Sequence, residues 1–322
     1  MSTYLVTGSA GFIGFHVAQE LLTANQKVIG IDDLNNYYSS KLKIDRNKIL
    51  ERSKNYTFYK SDISNYPSLN KIFQKHTIHK VCHLAAQPGV RYSITHPSVY
   101  EKSNIAGFLN VLEAARTFGI KTIVYASSSS VYGNASLQKT GFREKTPVSH
   151  PISLYGATKI ADEAIAYCYH HLYGLRCTGL RFFTVYGPWG RPDMAYMKFA
   201  DAITHGKPID LYNNGNMKRD FTYIEDAVSA ILSALHASLD FEIINIGSSR
   251  SVNLFTFVKL IEKELCKQAK VNLMPSQSGD LIQTRANISK AKKLLHYNPN
   301  TSVQQGIRLF GQWYKEYNRN SL

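Results

Sequence analysis

Tyr155-Gly-Ala-Thr-Lys159 places a phenol and an ammonium four residues apart, which puts both on one face of a helix. An ordinary tyrosine titrates at about 10 and is a poor base near neutrality. A cation beside it favours the phenolate. Such a pair can take the proton of a substrate hydroxyl, but this spacing also arises by chance. Upstream stands a run of serines, Ser127-Ser128-Ser129-Ser130. It follows an apolar strand-like segment, and one of its hydroxyls can bond the reacting oxygen. The alternative is a polar loop that only caps the next segment.

A third set lies at the start of the chain, Thr7-Gly8-Ser9-Ala10-Gly11-Phe12-Ile13-Gly14. It sits between a short apolar strand and a helix. Gly8 permits the tight turn, Gly11 lets backbone approach a pyrophosphate at the positive helix end, and Gly14 allows close helix–strand packing. Asp32 closes the second strand. A carboxylate there accepts from an adenosine ribose and repels a 2′-phosphate, which favours NAD over NADP. The nicotinamide ring and Lys159 could both supply the positive field at the phenol, and Lys159 could also bond the nicotinamide ribose. Asp62 could accept from the adenine amine, although Asp is equally common as a helix N-cap.

The elements that must hold these groups alternate. Strands are expected at 3–7, 27–32, 56–60, 79–86, 121–128 and 175–183. Helices are expected at 12–24, at 37–52 as a long surface helix, at 99–119 and after Pro151. This βαβα order predicts an α/β fold, a Rossmann-like, doubly wound parallel sheet with helices on both faces. In such sheets ligands sit at the carboxyl ends of the strands, where the glycine turn and the serine run both fall. After Phe183 the rhythm changes. A Gly/Pro-rich loop (187–193) leads to a helix, short strands, and helices at 222–237, 253–268 and 301–317. The expected division is a dinucleotide-binding domain over 1–183, with 220–247 returning to it, and a smaller α/β substrate lobe from 184–219 and 248–322.

Composition narrows the function classes. Lys and Arg number 38 against 23 Asp and Glu, a formal charge of +15. The basic residues are dispersed, without the runs or zinc-finger spacings of nucleic-acid binders. A solubilising surface or an anionic small molecule fits better. No apolar stretch reaches the length of a membrane span, and the N-terminus carries no leader pattern, so a cytoplasmic chain is expected. Four cysteines without a CxxC pair predict no disulfide framework, with Cys82 and Cys177 as buried thiols. No histidine spacing indicates a metal.

These motifs resemble the extended short-chain dehydrogenase/reductase family, specifically its NAD-dependent nucleotide-sugar epimerases and dehydratases. TGSAGFIG (7–14), HLAA (83–86), SSSSVYG (127–133), YGATK (155–159) and MKRDFTYIEDA (217–227) carry the likeness. IDDLNNYY (31–38), AAQPGVRYS (85–93), GLRFFTVYGPWGRPDM (179–194) and NMKRDFTYI (216–224) bring it nearest to UDP-glucuronate 4-epimerases. The resemblance implies Ser128, Tyr155 and Lys159 as catalytic residues. It implies NAD contacts from Phe12, Ile13, Asn35, Ile63, Leu84, Ala85, Ala86, Asn104, Tyr155 and Lys159, beside Gly8, Gly11, Gly14, Asp32 and Asp62. On the UDP-sugar side it implies Gln87, Arg91, Ser129, Ser130, Thr184, Arg191, Tyr212, Arg219, Gln277 and Asp280. A homodimer through helices around 99–118 and 151–172 is also implied.

Thr184 and Arg191 bear on the sugar. In glucuronate-type relatives they are expected to hold its carboxylate, and a guanidinium can do so through two parallel N–H groups. Arg191 could instead be a surface-loop cation, and Arg91 could serve the pyrophosphate or the fold. Sugar dehydratases and decarboxylases of this family carry an acid beside the catalytic Ser or Thr. Here Ser128 is flanked by Ser127 and Ser129, which disfavours both. The expected function is a UDP-glucuronate/UDP-galacturonate 4-epimerase working through a 4-keto sugar. The runner-up is a 4-epimerase for UDP-glucose or UDP-GlcNAc, and a non-catalytic NAD sensor is disfavoured by the intact triad.

Overall fold

The computed structural model describes residues 1–276 and 281–319. Six strands of the first half are β1 (Thr3–Thr7), β2 (Lys27–Asp32), β3 (Tyr56–Lys60), β4 (Lys80–His83), β5 (Thr122–Ser128) and β6 (Arg176–Phe182). The second half adds β7 (Thr184–Tyr186), β8 (Pro208–Leu211), β9 (Lys218–Tyr223), β10 (Phe241–Ile246), β11 (Ser251–Asn253) and β12 (Lys270–Leu273). The main sheet is parallel throughout, in the order β10-β6-β5-β4-β1-β2-β3. The winding reverses between β1 and β4, which opens a crevice at their carboxyl ends.

Both faces of this sheet are covered, which is why its strands are nearly continuous apolar runs. Successive side chains point to opposite faces. Val6, Val28, Cys82, Val124, Leu180 and Ile244 join one core. Leu5, Ile29, Val81, Ile123 and Cys177 join the other. The first core continues without a break through Phe199, Phe257 and Phe310, so the C-terminal elements pack directly on the sheet. Those elements carry a three-stranded sheet, β11-β9-β7, and a two-stranded one, β12-β8. β10 lies in the main sheet, in register with β6. Buried Asp220 ties these parts together, accepting from Ser248 N and Oγ (both 2.7 Å), Ser249 N (3.0 Å) and Ala286 N (2.8 Å). Among the described residues no helix is long and apolar enough to cross a membrane.

Several elements differ from expectation for local reasons. The helix expected over 37–52 spans Ser40–Leu50. Before it, Asn35 N bonds the Asp33 side chain (2.9 Å) and Tyr37 N bonds that of Asn35 (3.2 Å). Such side-chain turns compete with helix. Nor is it simply a surface helix, because Leu42, Lys43, Arg46, Asn47 and Leu50 are buried. The fourth strand ends at His83 rather than 86. Beyond it, Leu84 N and Ala85 N turn to the Thr7 hydroxyl (each 3.2 Å). The helix Tyr66–Lys75, capped by Asn65, was not anticipated. The helical run expected over 99–119 is divided: Glu101–Ala106 is a π-helical turn and Gly107–Thr117 is α-helical.

Candidate active site

The crevice at the switch point is a cavity of about 410 Å³. Its walls join all three chemical motifs. At one end lie Gly8, Gly11, Phe12, Ile13 and Gly14 with Asp32, Asn35, Asp62 and Ile63; at the other lie Ser128, Ser129, Ser130, Tyr155 and Lys159. Leu84, Ala85, Ala86 and Gln87 run between them, and Thr184 and Arg191 face the same space.

The glycine turn is shaped by close approach. Gly8 has φ +72°, and a Cβ there would lie 2.8 Å from Ala85 N. A Cβ on Gly14 would collide with the Gly8 carbonyl oxygen. The ends of β1 and β4 therefore touch through backbone, and the helix beginning at Phe12 presents free N–H groups to the cavity. Asp32 is buried and accepts from Leu34 N (2.9 Å) through Oδ1. Burial pushes its carboxyl above the usual range, and the Lys43 charge opposes that. A backbone cradle that side chains would fill, with a carboxylate at the ribose end, fits NAD. Asp62 caps locally, accepting from Ser64 N (2.8 Å), and pairs with Lys102 (2.8 Å) while still lining the cavity.

The reactive end is built on the helix Leu154–Tyr173. Ser153 caps it by accepting from Gly156 N, and left-handed Gly174 ends it. A Cβ on Gly156 would lie 2.6 Å from the Ser130 carbonyl. This glycine lets the first helical turn, with Tyr155, close onto the serine run. Ser128 Oγ accepts from Ser130 N (3.1 Å), which leaves its hydroxyl proton to donate. Lys159 is buried, and its Nζ lies 2.9 Å from Asp162 Oδ2, also buried. Burial pulls the ammonium down, but Asp162, together with Tyr155 and Glu163, more than offsets this and Lys159 stays charged.

Asn104 sits one layer behind the cavity wall. In the π-helical turn it accepts from Gln87 N (2.7 Å) and donates to Gln87 O (3.2 Å) and Thr158 Oγ1 (3.0 Å). It thereby fastens the loop after β4 to the Tyr155 helix. π-turns often mark functional sites. Tyr100, from the turn before it, sets its ring edge-on to Tyr155 at 6.2 Å. His83 stacks on Phe108 at 5.0 Å. Since Thr7 Oγ1 accepts from two backbone N–H groups, its own proton goes to His83 Nδ1 (2.9 Å). His83 is neutral, its pKa driven down to about 3 by burial and then by Lys159. Below about pH 6.5 the unfolded chain takes up a proton that the folded one refuses, so stability falls with pH in that window. At about pH 4.5 the wild type should have lost about 3 kcal/mol more than His83→Gln, relative to pH 7. Urea unfolding at the two pH values checks this; equal losses would refute it.

Arg191 was expected to face a substrate carboxylate. It lines the cavity, and its Nε and Nη2 grip Asp193 (3.0 and 2.9 Å), whose Oδ2 also accepts from Tyr37 Oη (3.1 Å). Asp193, Tyr37 and Lys43 were not singled out from the sequence. They stand inside the quoted WGRPD and LNNYY segments or just beyond, but no spacing rule distinguishes them. Arg91 lies outside the cavity lining, stacked at 4.6 Å over Tyr212. Arg219 Nη1 donates to the Lys218 carbonyl (3.1 Å), and neither it nor Tyr212 lines the cavity. Gln277 and Asp280 lie outside the described residues.

Comparison with known proteins agrees with this geometry. Residues 4–247 match the model of the NAD dependent epimerase/dehydratase family. An uncharacterised protein of Methanocaldococcus jannaschii is 52% identical over 314 residues, covering 97% of this chain and 96% of that protein. A UDP-glucuronate 4-epimerase of Thermodesulfobacterium geofontis is 43% identical over 317 residues, covering 98% and 97% respectively. The crystal structure of a Bacillus cereus UDP-glucuronic acid 4-epimerase in complex with UDP-glucuronic acid and NAD superposes with a TM-score of 0.90 at 36% identity, covering 98% of this chain and 99% of that one. The chain belongs to the NAD dependent epimerase/dehydratase family.

Proposed function

We propose that this chain interconverts UDP-glucuronate and UDP-galacturonate, with NAD as its resident cofactor. The carrying observation is one cavity with a dinucleotide cradle at one end and Ser128, Tyr155 and Lys159 at the other, with Thr184 and Arg191 facing the same chamber. The likeness to UDP-glucuronate 4-epimerases supports the choice of sugar.

Bound NAD supplies the hydride acceptor and donor. Tyr155 Oη takes the proton of the sugar 4-hydroxyl, and Ser128 Oγ donates to the same oxygen. The resulting 4-keto sugar turns its other face to the ring, and Tyr155 returns the proton to the inverted alcohol. The UDP part must be held firmly and the hexose loosely. We assign residues 1–183 and 220–247 to NAD binding and the remaining C-terminal segments to the UDP-sugar. On the UDP side we assign Arg91, Tyr212, Arg219, Gln277 and Asp280; on the sugar side Gln87, Ser129, Ser130, Thr184 and Arg191. Asn104 would act on the cofactor through the Gln87 loop.

Incubation with UDP-glucuronate should yield UDP-galacturonate and little pentose. No turnover, or mostly pentose, would refute the assignment. The neutralisation of Arg191 by Asp193 is the observation that favours a neutral sugar instead. Rates on UDP-glucose and UDP-GlcNAc measured alongside distinguish the two readings.

A cytoplasmic homodimer completes the proposal. Leu109 (41% exposed) lies on one helix of the expected interface, and Tyr167 (53%) and Leu172 (64%) lie on the other. Tyr169 Oη to Glu113 (3.1 Å) joins the two helices. Large apolar groups exposed on adjoining helices mark association surfaces. Light scattering should give twice the 36.3 kDa chain mass, and Leu172→Lys should shift it toward the monomer. A monomeric wild type would overturn this.

A further inference from the structure

Lys159 does not stand alone behind the phenol. Its ammonium and the Asp162 carboxylate form an ion pair in which each side chain is only 2% exposed. The other Asp162 oxygen, Oδ1, is buried and has no hydrogen-bond partner among the described residues. Leaving a buried carboxylate oxygen unsatisfied is costly, so the local hydrogen bonding does not account for an acid here. Alanine would fill the position without that cost. What Asp162 does have is the cation next to Tyr155.

We propose that Asp162 is a positioning residue for the epimerase reaction: it anchors the Lys159 ammonium and cancels much of that cation's field at the Tyr155 hydroxyl. The inference rests on the functional reading above. In a buried site a charge acts strongly over a few ångströms, and a carboxylate at 2.9 Å from Nζ turns a point charge into a short dipole. Most of the positive field at the phenol then arrives with the bound cofactor, so the phenol is less readily ionised in the free enzyme than in the loaded one.

The other charged and titratable groups around the pair are already committed. Glu163, on the same helix, is held by Arg181 (2.7 Å) and Ser127 (2.6 Å). His83, from β4, is neutral. Tyr125, from β5, is buried, and burial holds its phenol un-ionised. Tyr100 packs its ring against Tyr155 and donates to the Pro88 carbonyl (2.7 Å). Arg191, across the cavity, is neutralised by Asp193. Asp162 is therefore the charge whose removal most directly changes what Lys159 presents to the phenol.

The test is the pH dependence of kcat/KM for Asp162→Asn holoenzyme. Its acidic limb should move down by about one pH unit, whereas Asp162→Glu should restore the wild-type limb. In a Lys159→Met background the same Asn substitution should move little, because burial protonates an Asp162 that has lost its cation and leaves no charge to remove. An acidic limb that stays in place, or moves upward, overturns the proposal, even if activity falls. Should Asp162→Asn not fold, Asp162→Ser carries the same expectation. Failure of the sugar assignment is separable, because wild-type enzyme would then not turn over UDP-glucuronate. In that event tyrosinate ultraviolet absorbance of holoenzyme, taken as the difference from Tyr155→Phe, reads the same shift without turnover. An unchanged difference titration would overturn the proposal there too.

Discussion

Tyr155→Phe should lower kcat by about 10²- to 10⁴-fold while NAD remains bound, because a positioned acid–base group contributes on that scale. Removing one oxygen leaves the cavity wall intact. The edge-on packing against Tyr100 uses the ring, and the helix cap at Ser153 and the close approach of Gly156 use backbone. The cradle that would hold the cofactor's pyrophosphate lies at the opposite end of the cavity. Binding should therefore survive while chemistry does not. The check is twofold: turnover of UDP-glucuronate, and NAD content of the purified variant. Retained turnover would remove Tyr155 from the mechanism. Loss of NAD together with turnover would show the residue to be structural instead. Ser128→Ala should act in the same direction more weakly, since it removes one hydrogen bond to the reacting oxygen and not the proton acceptor.

The parts of this architecture legible in the sequence are those governed by local chemistry. Apolar runs flanked by turn residues mark buried parallel strands, and Gly8, Gly11 and Gly14 mark a backbone approach that no side chain permits. A serine of the 127–130 run, Tyr155 and Lys159 were identifiable because strand ends and helix spacing place them at one edge of the sheet, and the family resemblance singled out Ser128. What escaped were partners chosen by distant parts of the chain. Lys159 and Asp162 are three residues apart, yet that spacing does not distinguish a surface pair from a buried one; burial comes from the sheet and helices packed around them. The Asp193 clamp on Arg191 is closed by Tyr37, 156 residues away. Arg46 is equally illegible. It reads as a helix surface cation, but it is fully buried and donates to Ala10 O (2.9 Å), Gly190 O (3.0 Å) and Tyr38 Oη (3.0 Å). It thereby ties the glycine turn to the WGRPD loop. The π-helical turn at Glu101–Ala106 likewise holds Asn104, whose partners Gln87 and Thr158 lie 17 and 54 residues away.

Arg191→Ala should weaken UDP-glucuronate binding by about 10²-fold and UDP-glucose binding by only a few-fold. A charge-assisted hydrogen bond to the sugar carboxylate contributes about 1.5–3 kcal/mol, and each 1.4 kcal/mol is tenfold. The structure adds a second component. Asp193 loses the group that keeps it ionised, since Arg191 holds its carboxyl below the usual range against the upward push of burial. Truncating Arg191 therefore leaves the Asp193 carboxyl, beside cavity-lining Met194, without its counter-charge, and to the extent that it stays ionised it repels the carboxylate of the substrate. Arg191→Ala combined with Asp193→Asn removes that repulsion. The double variant should recover part of the lost affinity for UDP-glucuronate but none for UDP-glucose. Product composition gives a further readout. A 4-keto glucuronate is a β-keto acid and loses CO2 when its carboxylate aligns with the carbonyl, so releasing the anchor should raise the pentose fraction. Equal losses for the charged and neutral ligands, with no pentose formed, would place Arg191 in the fold of the loop and not in sugar recognition.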